Sequence, residues 1–298
     1  WHLGDDAWYP DRQGFDFNFG GCDYGQPPSY FDPYRNKRLT GIPTLPPRKE
    51  GEYLTDREAD EAVRFIRKHK NDRFFLHLAH YAVHTPIQAK AEVTAKYKAK
   101  PKPWQGWPKY AAMIEAVDDA VGRVMATLDE LDLTERTLVI FTSDNGGLLP
   151  VTNNAPLRSG KGYAYEGGIR VPLLIRGPGI KPGVSRKPVT TVDLFATVME
   201  AVRLKQPTDG VSVFKGRKEL YWHFPHYRHK PGPYSIIRVG NWKLIRFWEG
   251  PVFELYDLAN DLSEKNNLAA AQPDRVKELD RKLLAHLERV EAKLPKEK

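Results

Sequence analysis

Apolar positions recur along this chain first at helical spacing and then in short unbroken runs, and the order repeats. Ala59, Ala62, Val63 and Ile66 mark one helix face, with Thr55 and Glu58 placed ahead of it as a capping box. The run FFLHLA, 74–79, follows and predicts a buried strand. Ile114, Val117, Val121, Val124, Leu128 and Leu131 mark a second, longer helix face, and TLVIFT, 137–142, a second buried strand. A third strand is predicted over RVPLLI, 170–175, then the turn RGPGIKPG and a helix over TVDLFATVMEAV. Helices alternating with buried strands predict an α/β layered domain over 1–205. Beyond it, LYWHF, YSIIRVG, NWKLIRF and VFELYDL are short β-rich runs split by turns, and 273–290 reads as an amphipathic helix. They predict a C-terminal subdomain, 206–298, of one antiparallel sheet and one packed helix.

The first 55 residues lack such periodicity. They are rich in Gly, Pro and aromatics, as in GGCDYGQPPSYFDPY, and read as long loops of the kind that are functional or disordered. The 298 residues are 41% hydrophobic and 28% charged, an ordinary globular balance. No apolar run approaches the roughly 20 residues of a spanning helix, so no membrane span is expected. A formal charge of +8 favours anionic partners: nucleic acid, lipid headgroups or acidic polysaccharide. The basic residues are scattered, however, and short runs such as 67–70 read as solvated helix faces, so no nucleic-acid partner is expected. Cys22, the only cysteine, excludes an intrachain disulfide, and no basic residue or helix start adjoins it to activate a thiolate. The chain opens on Trp1-His2-Leu3-Gly4, without an initiator Met or signal peptide, and reads as starting inside a domain.

Candidate chemistry gathers where the predicted strands end. Asp144-Asn145-Gly146-Gly147 closes TLVIFT, and ligands bind beyond the carboxyl ends of strands in open α/β sheets. A carboxylate and an amide oxygen suit a hard divalent cation, while the same four residues also suit an Asx-type turn. His84 lies in the loop after 74–79, and Lys161 in the glycine-rich GKGYAYEGG, which lacks Walker spacing. A cation site, an ammonium and an imidazole at one sheet edge suit a dianionic ester; singly, His84 also reads as a structural loop histidine and Lys161 as an exposed lysine. His223, His226 and His229 recur every three residues, which leaves a zinc site, a substrate-contacting rim or aromatic packing open. Glu166 and Arg170 read as a structural ion pair, and the aromatic loop 24–34 as packing or a platform for a sugar ring.

These residues carry a resemblance. WHLG, RQGFDFNFGG, FFLHLAHYAVHTP, FTSDNGG, LRSGKGYAYEGGIRVPLLIRGPG, TTVDLFATVMEAV and ELYDLANDLSEKNNLA resemble, in order, the successive blocks of type I, formylglycine-dependent sulfatases of the alkaline-phosphatase-like superfamily. The resemblance implies an α/β/α sandwich with a mainly parallel sheet, here without its N-terminal part, plus a small C-terminal α+β subdomain. It implies hydrolysis of a sulfate ester, of a carbohydrate or an aryl alcohol, with calcium or alternatively magnesium. His2 falls on the histidine that contacts the formylglycine hydroxyl, His84 on the one that touches the sulfate and the leaving oxygen, Lys161 on the sulfate-binding lysine, and Asp144 and Asn145 on two metal ligands. The family's nucleophile arises from a C/S-x-P-x-R motif upstream of WHLG. No such motif occurs in these residues: Cys22 is followed by Asp-Tyr-Gly and Ser29 by Tyr-Phe-Asp, and Asp5-Asp6 do not correspond to the remaining metal ligands. An inactive chain is therefore expected, from a protein that in its intact form is periplasmic or secreted. A phosphodiesterase or phosphonate hydrolase of the same superfamily, and a non-catalytic polyanion-binding chain, are the alternatives.

Overall fold

A computed structural model describes residues 1–46, 48–101, 107–228, 232–250 and 252–296. They form two compact units, Trp1–Thr137 and Leu138–Lys298. The boundary at 137/138 differs from the one expected near 205, because Ala164 and Tyr165 share a core with the C-terminal sheet.

In the first unit, helix α1 (Leu54–Lys68) buries Ala59, Ala62 and Ile66, as the pattern predicts. The capping box does not form. The helix begins before Thr55, no side chain caps it, and Thr55 is buried in its first turn. Glu58 instead accepts from His80 Nδ1 at 2.6 Å. Helices α2 (Ala91–Lys98) and α1 both lie against α3 (Pro108–Glu130). The buried positions of α3 include Ala112, Met113, Ala116 and Ala120, whereas Val117, Val121 and Val124 are half-buried and Ile114 is exposed. Small side chains let helix axes approach closely, so the alanine face takes the contact that the valine stripe was expected to make. A second correction concerns 74–79. Its residues alternate in exposure as an extended segment does, with Phe75 exposed, but no ladder partner exists among the described residues. Phe65 and Phe15 pack on Phe74 and Phe75, but a strand also needs a hydrogen-bonded neighbour at its edge, and none pairs with it among the described residues.

The second unit opens with β1 (Val139–Thr142), which pairs antiparallel with β2 (Leu173–Arg176). Every strand pair among the described residues is antiparallel, in contrast to the mainly parallel sheet that the resemblance implies. No crossover helix joins β1 to β2. Their connection is the glycine-rich stretch 143–172, whose only helix is the four-residue α4 (Glu166–Ile169), and without a crossover the chain returns in the opposite direction. Phe141 and Leu174, opposite each other in register, are exposed.

Helix α5 (Val192–Ala201) follows, and its buried Asp193 reaches back to the Thr190 N–H at 2.9 Å. The C-terminal elements match the sequence pattern. Strands β3 (Glu219–Phe224), β4 (Tyr234–Val239), β5 (Trp242–Phe247) and β6 (Val252–Asp257) form an antiparallel meander. Helix α6 (Pro273–Arg289) lays Val276, Leu279, Leu283 and Leu287 on Ile237, Leu244 and Leu255. Each such side chain contributes about 1.5–3 kcal/mol gross. The opposite face, with Ile236, Ile245 and Phe247, packs against Ala164 and Tyr165, so the sheet buries both faces and supports the loop that carries Lys161.

Candidate active site

His2 and His84 belong to the first unit, and Asp144, Asn145 and Lys161 to the second. In the first, His2 lies against Gly25, and His84 is linked to Gln26 through Thr85. His2 has φ 54°, its N–H donates to the Cys22 carbonyl at 2.8 Å, and its ring lies next to Gly25. A Cβ at Gly25 would stand 2.6 Å from the ring Cε1, so a side chain there would displace the His2 ring.

His84 is anchored through its backbone, which donates to Tyr81 O at 2.9 Å and accepts from Tyr30 Oη at 2.9 Å. Its tautomer follows from its neighbours. Thr85 Oγ1 donates to Gln26 Oε1 at 2.9 Å, so its 3.1 Å contact with His84 Nδ1 requires Nδ1 to donate. The Thr85 carbonyl, 3.2 Å from the same nitrogen, requires the same. With Nδ1 donating, a neutral ring has its lone pair on Nε2.

Loop 24–34 is clasped to 81–88 by further bonds, from the Tyr30 N–H to Gln88 Oε1 at 2.8 Å and from Tyr81 Oη to Tyr24 O at 3.3 Å. Tyr30 and Tyr34 are buried, and Tyr30 stacks on Tyr53 with ring centres 5.8 Å apart, so at these positions the loop is packing. Burial and hydrogen bonding to nearby carboxylates raise neighbouring phenols: Tyr9, donating to Asp23 Oδ1 at 2.9 Å, is pushed up to about 12. Cys22 is fully buried with Sγ 3.4 Å from Tyr81 Oη, which removes it as an accessible nucleophile.

In the second unit Asp144 and Asn145 sit at the end of β1, and five glycines bring their loop against that of Lys161. Gly146 donates to Gly168 O at 3.0 Å and Lys161 donates its backbone N–H to Gly147 O at 3.0 Å. A Cβ on Gly146 would fall 1.8 Å from Gly167 O, and one on Gly160 2.3 Å from Gly147 O. Asn154 rivets the junction, accepting from Gly147 N at 3.0 Å and donating to Gly147 O at 3.0 Å and Ser159 O at 2.9 Å. Asp144 is exposed. Asn145 Nδ2 donates to Gly146 O at 3.3 Å, which leaves Oδ1 as an acceptor. Two hard oxygen donors suit calcium or magnesium, but a hard cation takes six or more ligands, and no group of three His, Cys, Asp or Glu fit to hold a metal occurs among the described residues. The pair fits part of a metal site.

The second unit also holds a buried charge cluster. Glu166 pairs with Arg170 at 3.3 Å, as expected, and both Glu166 and Glu264 hold Lys243 Nζ, at 3.0 and 2.7 Å. Glu264 also accepts from the Glu166 N–H at 2.6 Å. Burial raises the Glu264 carboxyl above its ordinary value, although Lys243 pulls the other way.

Among the described residues, His223 and His226 form no metal site. Trp248 Nε1 donates to Ser235 Oγ at 2.9 Å, Ser235 Oγ lies 2.7 Å from His223 Nδ1, and His223 Nε2 lies 2.9 Å from Lys293 O. Both ring nitrogens are thus engaged. His226 stands edge-on to Phe224, and His229 lies outside the described residues.

The sequence profile of the sulfatase family matches residues 1–204, and that of the N-sulphoglucosamine sulphohydrolase C-terminal region matches 159–293. This chain belongs to the sulfatase family. A sulfatase of Formosa agariphila is 36% identical over 75% of this chain and 47% of its own length. An N-acetylgalactosamine-6-O-sulfatase of Bacteroides thetaiotaomicron is 28% identical over 83% and 55%. The crystal structure of Ps i-CgsB in complex with k-i-k-neocarrahexaose superposes with a TM-score of 0.77 at 30% identity, over 96% of this chain and 69% of that one. The fold is thus the α/β fold of sulfatases with an antiparallel C-terminal sheet, and the chain spans about half the length of the curated relatives it matches.

Asn154, Thr85 with Gln26, and the His80–Glu58 pair were not singled out in the sequence. Asn154 reads there as one more turn residue in NNAP. Its role is visible only once the carbonyls of Gly147 and Ser159 stand side by side.

Proposed function

We propose that this chain supplies the sulfate-binding and proton-transfer part of a sulfuric ester hydrolase acting on a sulfated carbohydrate. The observation that supports the reading is the stitching of the Asp144-Asn145 loop to the Lys161 loop by glycines that admit no side chain. Calcium at Asp144 and Asn145, or magnesium, would supply charge neutralisation for the sulfate. Lys161 binds the sulfate oxygens. His84, with its proton on Nδ1, exchanges a proton with the leaving oxygen through Nε2, and His2 acts at the nucleophile. Support for a carbohydrate comes from relatives: one is named for a sulfate on N-acetylgalactosamine, and one solved structure holds a neocarrahexaose. A periplasmic or secreted location accompanies this reading, since such polysaccharides are met there.

The nucleophile is not among these residues in C/S-x-P-x-R form. The 298-residue chain is therefore expected to show no turnover of a chromogenic aryl sulfate with calcium, and turnover would refute that statement. Binding tests the rest. A monosulfated sugar should shift the amide resonances of 160–162 and its desulfated counterpart should not; equal shifts from both would refute a sulfate site at Lys161.

A further inference from the structure

Three residues ahead of Lys161, Arg158 lines an open cleft of about 430 Å³ together with Pro156, Ser263, Glu264 and Lys265. Its guanidinium is held rigidly, 3.7 Å above the Tyr165 ring centre, with Nη1 donating to Tyr256 Oη at 2.9 Å and to Glu264 O at 2.8 Å. Among the described residues these bonds use Nη1 alone.

The acids nearby are already committed. Glu264 is fully buried and turned to Lys243 and the Glu166 N–H. Glu254, 3.9 Å from Arg158 Nη1, accepts from Tyr256 Oη at 2.7 Å and from Tyr165 Oη at 3.3 Å. What remains towards the cleft is a guanidinium whose side chain is 39% exposed, the exposed ammonium of Lys265 and the Ser263 hydroxyl. A pre-positioned guanidinium with an ammonium and a hydroxyl beside it recognises a sulfate or a carboxylate.

We infer that this cleft is a second anion subsite, which receives another sulfate or carboxylate of the same saccharide whose sulfate ester is bound at Lys161. The inference rests on the sulfate-ester reading above. Three residues of chain span at most roughly 11 Å, so one oligosaccharide reaches both positions. The consequence is a preference for multiply charged polysaccharide over a lone sulfated sugar.

The test is an NMR titration of the 298-residue chain with inorganic sulfate, a monosulfated monosaccharide and a tetrasaccharide sulfated on alternate sugars. The tetrasaccharide should shift the amides of 263–266. Lys265→Ala, a change at an exposed side chain, should weaken its binding about three- to fivefold, the size of an exposed charge contact, and leave the monosaccharide unaffected. Lys161→Ala should weaken both sugars. Unchanged tetrasaccharide affinity in Lys265→Ala, or shifts at 263–266 from inorganic sulfate with the tetrasaccharide's affinity, overturns the cleft as a saccharide subsite. Sugar affinities untouched by Lys161→Ala overturn the underlying reading instead.

Discussion

Replacing Lys243 by Met removes the one cation that two buried carboxylates share. Nζ sits 3.0 Å from Glu166 and 2.7 Å from Glu264, and the three side chains are 0%, 3% and 0% exposed. Removing one partner of a buried ionic cluster costs about 3–5 kcal/mol, because Glu264 is left out of water with no cation and Glu166 with Arg170 alone. With a urea slope of about 1–3 kcal/mol per molar, the midpoint should fall by at least about 1 M. The assay is urea unfolding read by hydrogen exchange in peptides from 219–289, since two compact units need not unfold together.

The pH dependence carries a sign. The folded carboxyl of Glu264 is raised by burial, so its contribution is fully present below its unfolded value, about 4.3, and is lost as pH rises through the folded value. Without Lys243 that loss deepens, so Lys243→Met should be more damaging at pH 8 than at pH 5. A midpoint change worth under about 1 kcal/mol, or damage that grows towards acid, would refute the reasoning.

Four further outcomes follow from the structure. Gly146→Ala should cost about 1–3 kcal/mol and perturb the Lys161 amide, because its Cβ meets Gly167 O. Gly122→Ala, in α3 with nothing within 4 Å, should stabilise by up to about 1 kcal/mol in the same urea titration. Asp193 is buried, which alone would raise its carboxyl, but Arg217 Nε at 2.7 Å and the Val211 and Thr190 N–H groups hold it below its ordinary value. Asp193→Asn should therefore cost about 1.5–3 kcal/mol near neutral pH, and its difference from the parent should shrink as pH falls below about 4; a pH-independent difference would contradict this. Asp144→Ala, at an exposed position, should leave stability within about 0.5 kcal/mol and weaken calcium binding in calorimetry, and equal affinity would remove Asp144 from the ligand set.

Much of the C-terminal region was legible in the sequence. The four β-rich runs and the 273–290 helix appear where their patterns placed them, because hairpins and an amphipathic helix are specified by neighbouring residues. The Glu166–Arg170 pair was legible for the same reason, being one helical turn apart. Non-local partners decided what was misread. Glu58 turned to His80 rather than to a cap, the alanines of α3 took the helix contact from its valines, and 74–79 lacked a ladder neighbour among the described residues. The candidate site divides likewise. Residue types and motif order named His2, His84, Asp144, Asn145 and Lys161, while the tautomer of His84 and the clamp at Asn154 came from groups 58 and 7 residues distant. Sequence determines which chemical groups are available and which local segments turn, coil or pleat. Only tertiary structure decides which carbonyl stands opposite which glycine, because a close backbone approach is a property of two segments and is encoded in neither alone.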